Sequence, residues 1–459
     1  MHIHILGIAG TMTAPLAVSL KKIGHQVSGS DQDKIYPPVS LILKKAKIKI
    51  NFYEITKDID LCIIGSSYNN FDNTKKEFQE IKKLKIPYIS ATKYISQNLI
   101  KKESIVVAGS FGKTTITSLI SWIFLKAKKN PSYMFGGYPK NKFSAISFYQ
   151  SDVSIVEGDE SIHGLDKQAK FLNYSPKYLV LTSADWEHKD CYPSETKNTM
   201  AFKKLVNLLP ADGLLVVNAK SQSTQKISQF SKSKIITYGT PQSDYFIDKI
   251  QVKENLTTLV ISTPFGFIKI DTQLIGRFNF ENILAAIALS DSLKIQKSII
   301  QKSIFSYRGI KRRLELIANH KNILFFDDFA QSTDRIKSTL EALKKHYPTR
   351  DIKVLYFAHA SFNQYKNSLN GLDLAFLSAK EIVLGPLKFN SKIIKNNRAT
   401  ANDYKLLIGP KLIYLPLKRQ IIEYYNSSLM SNDILIYMSS GGFENNRIFK
   451  SIINNYKKC

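Results

Sequence analysis

Ile105-Val106-Val107-Ala108-Gly109-Ser110-Phe111-Gly112-Lys113-Thr114-Thr115 decides the fold class, because an apolar strand run enters a glycine turn and Lys-Thr-Thr then opens a helical pattern from Ile116 to Lys128. Backbone N–H groups of such a turn, with the N-terminal end of the helix dipole behind them, form an anion cradle. Lys113 would neutralise phosphate charge there, and the Thr114 hydroxyl suits Mg²⁺. The first glycine stands three residues before the second, where the common P-loop has five, so a purely structural turn is the competing reading.

Two acidic clusters follow other apolar runs. Val153-Ser154-Ile155-Val156 leads into Glu157-Gly158-Asp159-Glu160, and the run from Tyr178 to Thr182 leads into Asp185-Trp186-Glu187-His188-Lys189-Asp190. Carboxylates at the strand ends of an α/β sheet reach a ligand in the crevice beyond them. A nucleoside triphosphate brings Mg²⁺, which takes one or two oxygens from protein. A solvated loop is the alternative for the first cluster, and a structural histidine for His188. Gly276-Arg277-Phe278-Asn279-Phe280-Glu281-Asn282 opens an Ala- and Ile-rich helix with both asparagines on one side; helix capping also accounts for Asn279. Asp327-Asp328 ends another apolar run, where a carboxylate suits a ribose hydroxyl or caps the next helix.

Alternating strand and helix signals extend in both directions and argue for an α/β protein whose sheets are mostly parallel. Three segments are expected: 1–98, 99–313 and 314–459. The first carries a strand from His2 to Gly7, a helix from Thr11 to Ile23, and strands at Gln26 to Ser30, near Leu61 to Gly65 and near Pro87 to Ile89. The polar stretch Ser96 to Ser104 reads as a linker. The second adds a strand at Leu214 to Asn218 and antiparallel alternation from Ile250 to Ile270. The third reads as strands at Ile323 to Asp327, Lys353 to Phe357, Glu381 to Leu384, Leu412 to Leu415 and Ile434 to Met438, with a helix from Thr333 to His346.

The chain has 459 residues and 44% hydrophobic content, enough for several cores. Its longest apolar candidate, Ile116 to Leu125, is too short to span a bilayer and contains Thr117, Ser118 and Ser121. No membrane association is expected, and the opening residues read as mature sequence. Cys62, Cys191 and Cys459 are scattered, which fits a reducing cytoplasm better than a disulfide framework or a zinc site. The net charge of +28 raises the alternative of nucleic-acid binding. Its lysines lie in short runs along the whole chain, however, so a general bias without a nucleic-acid partner is the expectation.

The turn at 109–115, Glu157-Gly158-Asp159-Glu160-Ser161, His188, the segment 276–282, Gly309-Ile310-Lys311-Arg312-Arg313 and Asp327-Asp328-Phe329-Ala330 together resemble the Mur ligases, in that order and over nearly the whole chain. Within the family the resemblance is nearest to the murein peptide ligases. It is carried by the opening His2 to Thr11, by Gly29-Ser30-Asp31 followed by Tyr36-Pro37-Pro38-Val39-Ser40, and by Met438-Ser439-Ser440-Gly441-Gly442-Phe443. The alanine-adding ligases share the core motifs. The resemblance implies a UDP-sugar-binding Rossmann-like domain, a central P-loop ATPase domain and a C-terminal Rossmann-like domain for the amine substrate. It implies an enzyme that uses ATP and Mg²⁺ to join the lactyl carboxylate of UDP-N-acetylmuramate to a murein tripeptide through an acyl phosphate. Gly7, Gly10, Thr11 and Asp31 would serve the UDP-sugar. Gly109, Gly112, Lys113, Thr114, Thr115, Asn279, Asn282, Arg312, Arg313 and Asp328 would serve ATP, with Arg312 or Arg313 near its phosphates and Asp328 on its ribose. Thr114, Glu160 and His188 would hold metal, and Lys113, Glu160 and His188 would form the catalytic set.

The chain departs from the family pattern in several places, among them Glu444-Asn445-Asn446 after Gly441-Gly442-Phe443, where the family has more glycine. Phe111 stands where a histidine is usual, Gln331-Ser332-Thr333 replaces His-His-Pro, and the stretch around Ala358 and Ala360 lacks an expected arginine. These losses keep two alternatives open: an L-alanine ligase, and a catalytically impaired relative that binds UDP-sugar or nucleotide.

Overall fold

The computed structural model describes residues 1–32, 35, 39–50, 55–186, 191–253, 256–358, 361–387, 395–440 and 443–457. The chain forms two compact units. One comprises Met1–Gln251, Thr257–Gln273 and Asn279–Arg308, and the other Val252–Leu256, Leu274–Phe278 and Gly309–Cys459.

The first unit holds two parallel sheets. The five strands of one lie in the order Lys49–Ile50, Gln26–Ser30, His2–Leu6, Leu61–Ile64, Tyr88–Ser90, all parallel. The seven strands of the other run Lys234–Tyr238, Leu214–Asn218, Tyr178–Leu181, Glu103–Ala108, Val153–Gly158, Ser132–Met134, Ile146–Ser147, and only the last pair is antiparallel. Ile105, Val106, Val107 and Ala108 are fully buried, as expected of a central strand covered on both faces. A single apolar core runs from Ile3, Ile5 and Leu16 in one sheet layer to Val106, Leu179 and Phe202 in the other. The residues Ser96 to Ser104 are not a linker throughout. Ser90 caps the helix Ala91–Asn98 by accepting from Lys93 N–H, and Glu103 already starts a strand, so only 99–102 connects them. Burial of Ile95 and Leu99 explains why this polar-looking stretch is ordered. The alternation near residues 250–270 forms part of a three-stranded sheet, with Leu256–Thr263 and Gly266–Thr272 paired antiparallel.

In the second unit six strands lie in the order Glu315–His320, Ile323–Asp328, Asp433–Ser439, Asp351–Phe357, Glu381–Leu384, Leu412–Tyr414. All pairs are parallel except the first, an antiparallel edge. The helix Thr333–His346 buries Ile336, Leu340 and Leu343 against this sheet's core.

Candidate active site

In the seven-stranded sheet Glu103–Ala108 lies between Val153–Gly158 and Tyr178–Leu181. Its carboxyl end is therefore a switch point of the topology, where an open α/β sheet offers a crevice. Gly109 has φ of +133°, and a Cβ there would lie 2.1 Å from Thr182 Oγ1; Gly112 has φ of +81°, and its Cβ would lie 2.4 Å from Asn282 Oδ1. Both positions thus exclude a side chain on two counts. The turn is fixed from the neighbouring strand end: Ser110 N–H donates to Ser183 Oγ at 3.0 Å, Ser110 Oγ to Asp185 O at 2.8 Å, and Thr182 Oγ1 to Phe111 O at 2.6 Å. The N-cap residue of the helix Lys113–Lys126 is Gly112, which has no side chain to cap it. The N–H groups of its first turn can therefore face an anion.

Lys113 and Thr114 meet the acidic loop. Lys113 Nζ lies 3.0 Å from Glu160 Oε1 and 2.8 Å from its Oε2, and also donates to Gly109 O. Thr114 Oγ1 donates to Glu157 Oε1 at 2.9 Å, and Gly136 N–H to Glu157 Oε2 at 2.6 Å. Burial pushes the Glu157 carboxyl up, against the Gly136 hydrogen bond and the Lys113 charge. Burial acts on Asp159 in the same sense, but Lys170, the Ser161 N–H and Lys113 together outweigh it and the carboxyl sits below its ordinary value; Lys170 Nζ lies 2.7 Å from Asp159 and 2.8 Å from Ser161 Oγ.

Lys113, Thr114, Glu160, Gly109, Gly112 and Asn282 thus come together. Thr115 is a buried residue of the helix Lys113–Lys126 that the turn opens, and Asn279 is a buried residue of the helix Arg277–Ser292. His188, with Glu187, Lys189 and Asp190, lies outside the described residues. The sequence reading did not single out Glu157 as the partner of Thr114, nor Gly136 and Lys170. Glu157 had a visible signal as the first acid after the apolar run Val153 to Val156; the other two depend on pairings between loops.

In the five-stranded sheet His2–Leu6 occupies the corresponding switch point, between Gln26–Ser30 and Leu61–Ile64. Gly7, with φ of +82°, starts the turn into the helix Thr13–Lys22. Thr13 Oγ1 donates to Gly7 O at 2.7 Å, and a Cβ on Gly10 would come within 2.7 Å of that same Thr13 oxygen. Asp31 accepts from Ala9 N–H at 2.7 Å and Gln32 N–H at 2.8 Å, so its carboxylate shapes the turn. Gly7, Gly10 and Thr11 therefore lie in one strand-end turn, and Asp31, at the end of the neighbouring strand Gln26–Ser30, accepts from it. Pro37 and its neighbours 36 and 38 lie outside the described residues.

In the second unit Arg312 packs over the Phe329 ring at 5.1 Å and Arg313 at 5.8 Å. Arg312 Nε lies 3.3 Å from Asp327 Oδ1, and its Nη2 donates to Ser439 O. Asp328 is buried, with its oxygens accepting from Ala330 N–H at 2.6 Å and Leu314 N–H at 2.5 Å, so it braces the strand end. Gln331 is also buried and joins Asn363, which donates to Gln331 O at 2.9 Å and to Tyr356 Oη at 2.6 Å. Ala358 is buried, which removes it as a position for a substrate-binding arginine, because the guanidinium would lose its hydration. Ala360 lies outside the described residues.

Burial raises the Asp327 carboxyl from 3.8 to about 6, the opposing Arg312 charge being the smaller effect. A carboxyl raised on folding binds its proton more tightly in the native state. Its contribution to stability is present below the unfolded value and is lost as pH rises through the folded one. Wild-type protein is expected to lose denaturant resistance between pH about 4 and about 6, and Asp327→Asn to flatten that slope in parallel urea titrations.

No helix among the described residues is long and apolar enough to cross a membrane, and no group of three or more His, Cys, Asp or Glu side chains is gathered among them. The family profile described as "Mur ligase family, catalytic domain" matches residues 2–102, and "Mur ligase middle domain" matches 107–290. The UDP-N-acetylmuramate–L-alanine ligase of Pelagibacter ubique (strain HTCC1062) is 27% identical over 451 residues, covering 96% of this chain and 95% of that one. The UDP-N-acetylmuramate–L-alanyl-gamma-D-glutamyl-meso-2,6-diaminoheptandioate ligase of Escherichia coli (strain K12) is 28% identical over 356 residues, 75% of this chain and 76% of that one. The crystal structure of the UDP-N-acetylmuramate–alanine ligase from Thermotoga maritima superposes with a TM-score of 0.82 at 22% identity, covering 100% of this chain and 99% of that one, which shows a shared α/β fold. The two profiles together span most of the sequence and include both strand-end turns, and the chain belongs to the Mur ligase family of ATP-dependent, amide-forming ligases.

Proposed function

We propose that this ligase uses ATP to activate the lactyl carboxylate of UDP-N-acetylmuramate and transfers it to the amine of an L-alanyl group. The observation that carries this reading is the meeting of Lys113, Thr114, Glu157 and Glu160 around a glycine turn that opens a helix at Gly112. The turn and Lys113 would take the ATP phosphates, and the turn at Gly7 to Thr11 the UDP diphosphate. A substrate carboxylate oxygen would attack the γ-phosphorus, releasing ADP and forming an acyl phosphate. The L-alanyl amine would then attack the acyl carbon, expelling phosphate and giving up a proton. Such chemistry requires positioning and charge neutralisation more than a protein nucleophile.

A hydroxyl and two carboxylates suit a hard, oxygen-seeking cation, and Thr114, Glu157 and Glu160 would hold Mg²⁺, whose charge would offset that of the phosphates. Glu157→Gln is expected to raise the Mg²⁺ concentration for half-maximal turnover by roughly tenfold, the cost of about one ligand's share of binding. A metal titration of initial rates reads this, and an unchanged midpoint would remove Glu157 from the site.

Free L-alanine and the murein tripeptide, which begins with L-alanine, present the same nucleophile. We place free L-alanine first, because that activity is named for a relative matched over nearly its whole length. The tripeptide is the second reading, favoured by the Escherichia coli relative and by the opening motif His2 to Thr11. Such a reaction belongs in the cytoplasm, with ATP and the UDP-sugar. Incubation with ATP, Mg²⁺, UDP-N-acetylmuramate and either amine, with product masses as the readout, separates the two; no product from either would leave the reading as a binding protein.

A further inference from the structure

Residues 161–173 connect Glu160 to the five-stranded sheet. After Ser161 the chain forms the hairpin Ile162–His163 with Gln168–Ala169, then the short turn Lys170–Asn173. Its base is tied to the acidic loop: Phe171 N–H donates to Asp159 O at 3.1 Å and Lys170 N–H to Ser161 O at 3.1 Å, beside the Lys170 ion pair with Asp159. Its tip is tied to the other sheet. His163 Nε2 lies 3.2 Å from Ile64 O, and Asp166 accepts from Ser90 Oγ at 2.7 Å with Lys93 Nζ at 3.6 Å. The side chains of His163 and Asp166 are almost wholly buried, at 0% and 1% exposure, although both are polar. Ile64 precedes Gly65, where a Cβ would lie 3.0 Å from Gly7 O.

We infer that His163 and Asp166 are positioning residues, clamping the Glu160 loop to the strand ends beside the Gly7 turn so that the two substrates meet in register. This rests on the function proposed above. Burying an aspartate and a histidine costs free energy that an apolar hairpin would avoid. What the pair supplies is a fixed register between two strand-end turns on different sheets, and displacement of about 1 Å between reacting groups can cost about a hundredfold in rate.

The test is Asp166→Ala beside Asp166→Asn, which keeps an acceptor for Ser90. Asp166→Ala is expected to lower kcat at least about tenfold while KM for ATP stays within about twofold, and Asp166→Asn to restore most of kcat. Amide hydrogen exchange should rise at Lys167, Lys170 and Phe171 in Asp166→Ala but not at Ile155 in the sheet. Wild-type kcat and unchanged exchange in a folded Asp166→Ala would overturn the inference, as would equal loss in both variants. If Asp166→Ala does not fold, Ser90→Ala tests the same clamp from the other side. Failure of the functional reading would show separately, as absence of ligation by the wild-type enzyme.

Discussion

Lys113→Ala is expected to lower kcat/KM for ligation by roughly a thousandfold, the scale on which one charged group at a developing oxyanion acts. Lys113 Nζ donates to Gly109 O within the Gly109–Gly112 turn, where both glycines exclude a Cβ. The sequence alone suggests that removing a ligand-facing lysine leaves folding intact. The geometry corrects this, because Glu160 is 3% exposed and Lys113 is its salt-bridge partner at 2.8 Å. Removing one partner of such a buried pair costs up to about 3–5 kcal/mol. The double variant Lys113→Ala with Glu160→Gln should recover thermal stability without recovering turnover. Melting curves and initial rates on the same preparations separate the two effects, and near wild-type turnover in either variant would end the assignment of this turn to ATP.

Gly10→Val is expected to weaken UDP-N-acetylmuramate binding by at least about tenfold while ATP affinity stays within about twofold. A Cβ at Gly10 lies 2.7 Å from Thr13 Oγ1, which is already engaged with Gly7 O, so the added methyls must displace the turn or project toward the ligand. Overpacking of this kind costs about 1–3 kcal/mol. Calorimetric titration with each ligand checks it. Equal loss of both affinities would point to general destabilisation, and unchanged UDP-sugar affinity would take the Gly7–Thr11 turn out of the site.

Much of the α/β architecture was legible because strands buried on both faces read as unbroken apolar runs. Leu214–Asn218 and Glu381–Leu384 fall where the runs place them. The edge strand Glu315–His320 carries no such signal, since its residues are mostly exposed or half-buried. Of the candidate site, the glycine turns and their helix entries were visible as local pattern, including Lys113 and Thr114. The pairing of Thr114 with Glu157 and of Lys170 with Asp159 was not, because it depends on which loops the sheet order brings side by side. Asp328 shows the converse: a strand-end carboxylate read as a ribose ligand or a helix cap is used on backbone N–H groups of Leu314 and Ala330.

ATP activation of the UDP-sugar's carboxylate beside Lys113, Thr114, Glu157 and Glu160 is the proposed first step. Its most direct test is to supply UDP-N-acetylmuramate labelled with ¹⁸O in the lactyl carboxylate, together with ATP, Mg²⁺ and L-alanine or the tripeptide, and to weigh the phosphate released. Activation through an acyl phosphate predicts that one labelled oxygen appears in each inorganic phosphate formed with product, and that Lys113→Ala abolishes this transfer. Phosphate released without label, while amide product accumulates, would contradict the account.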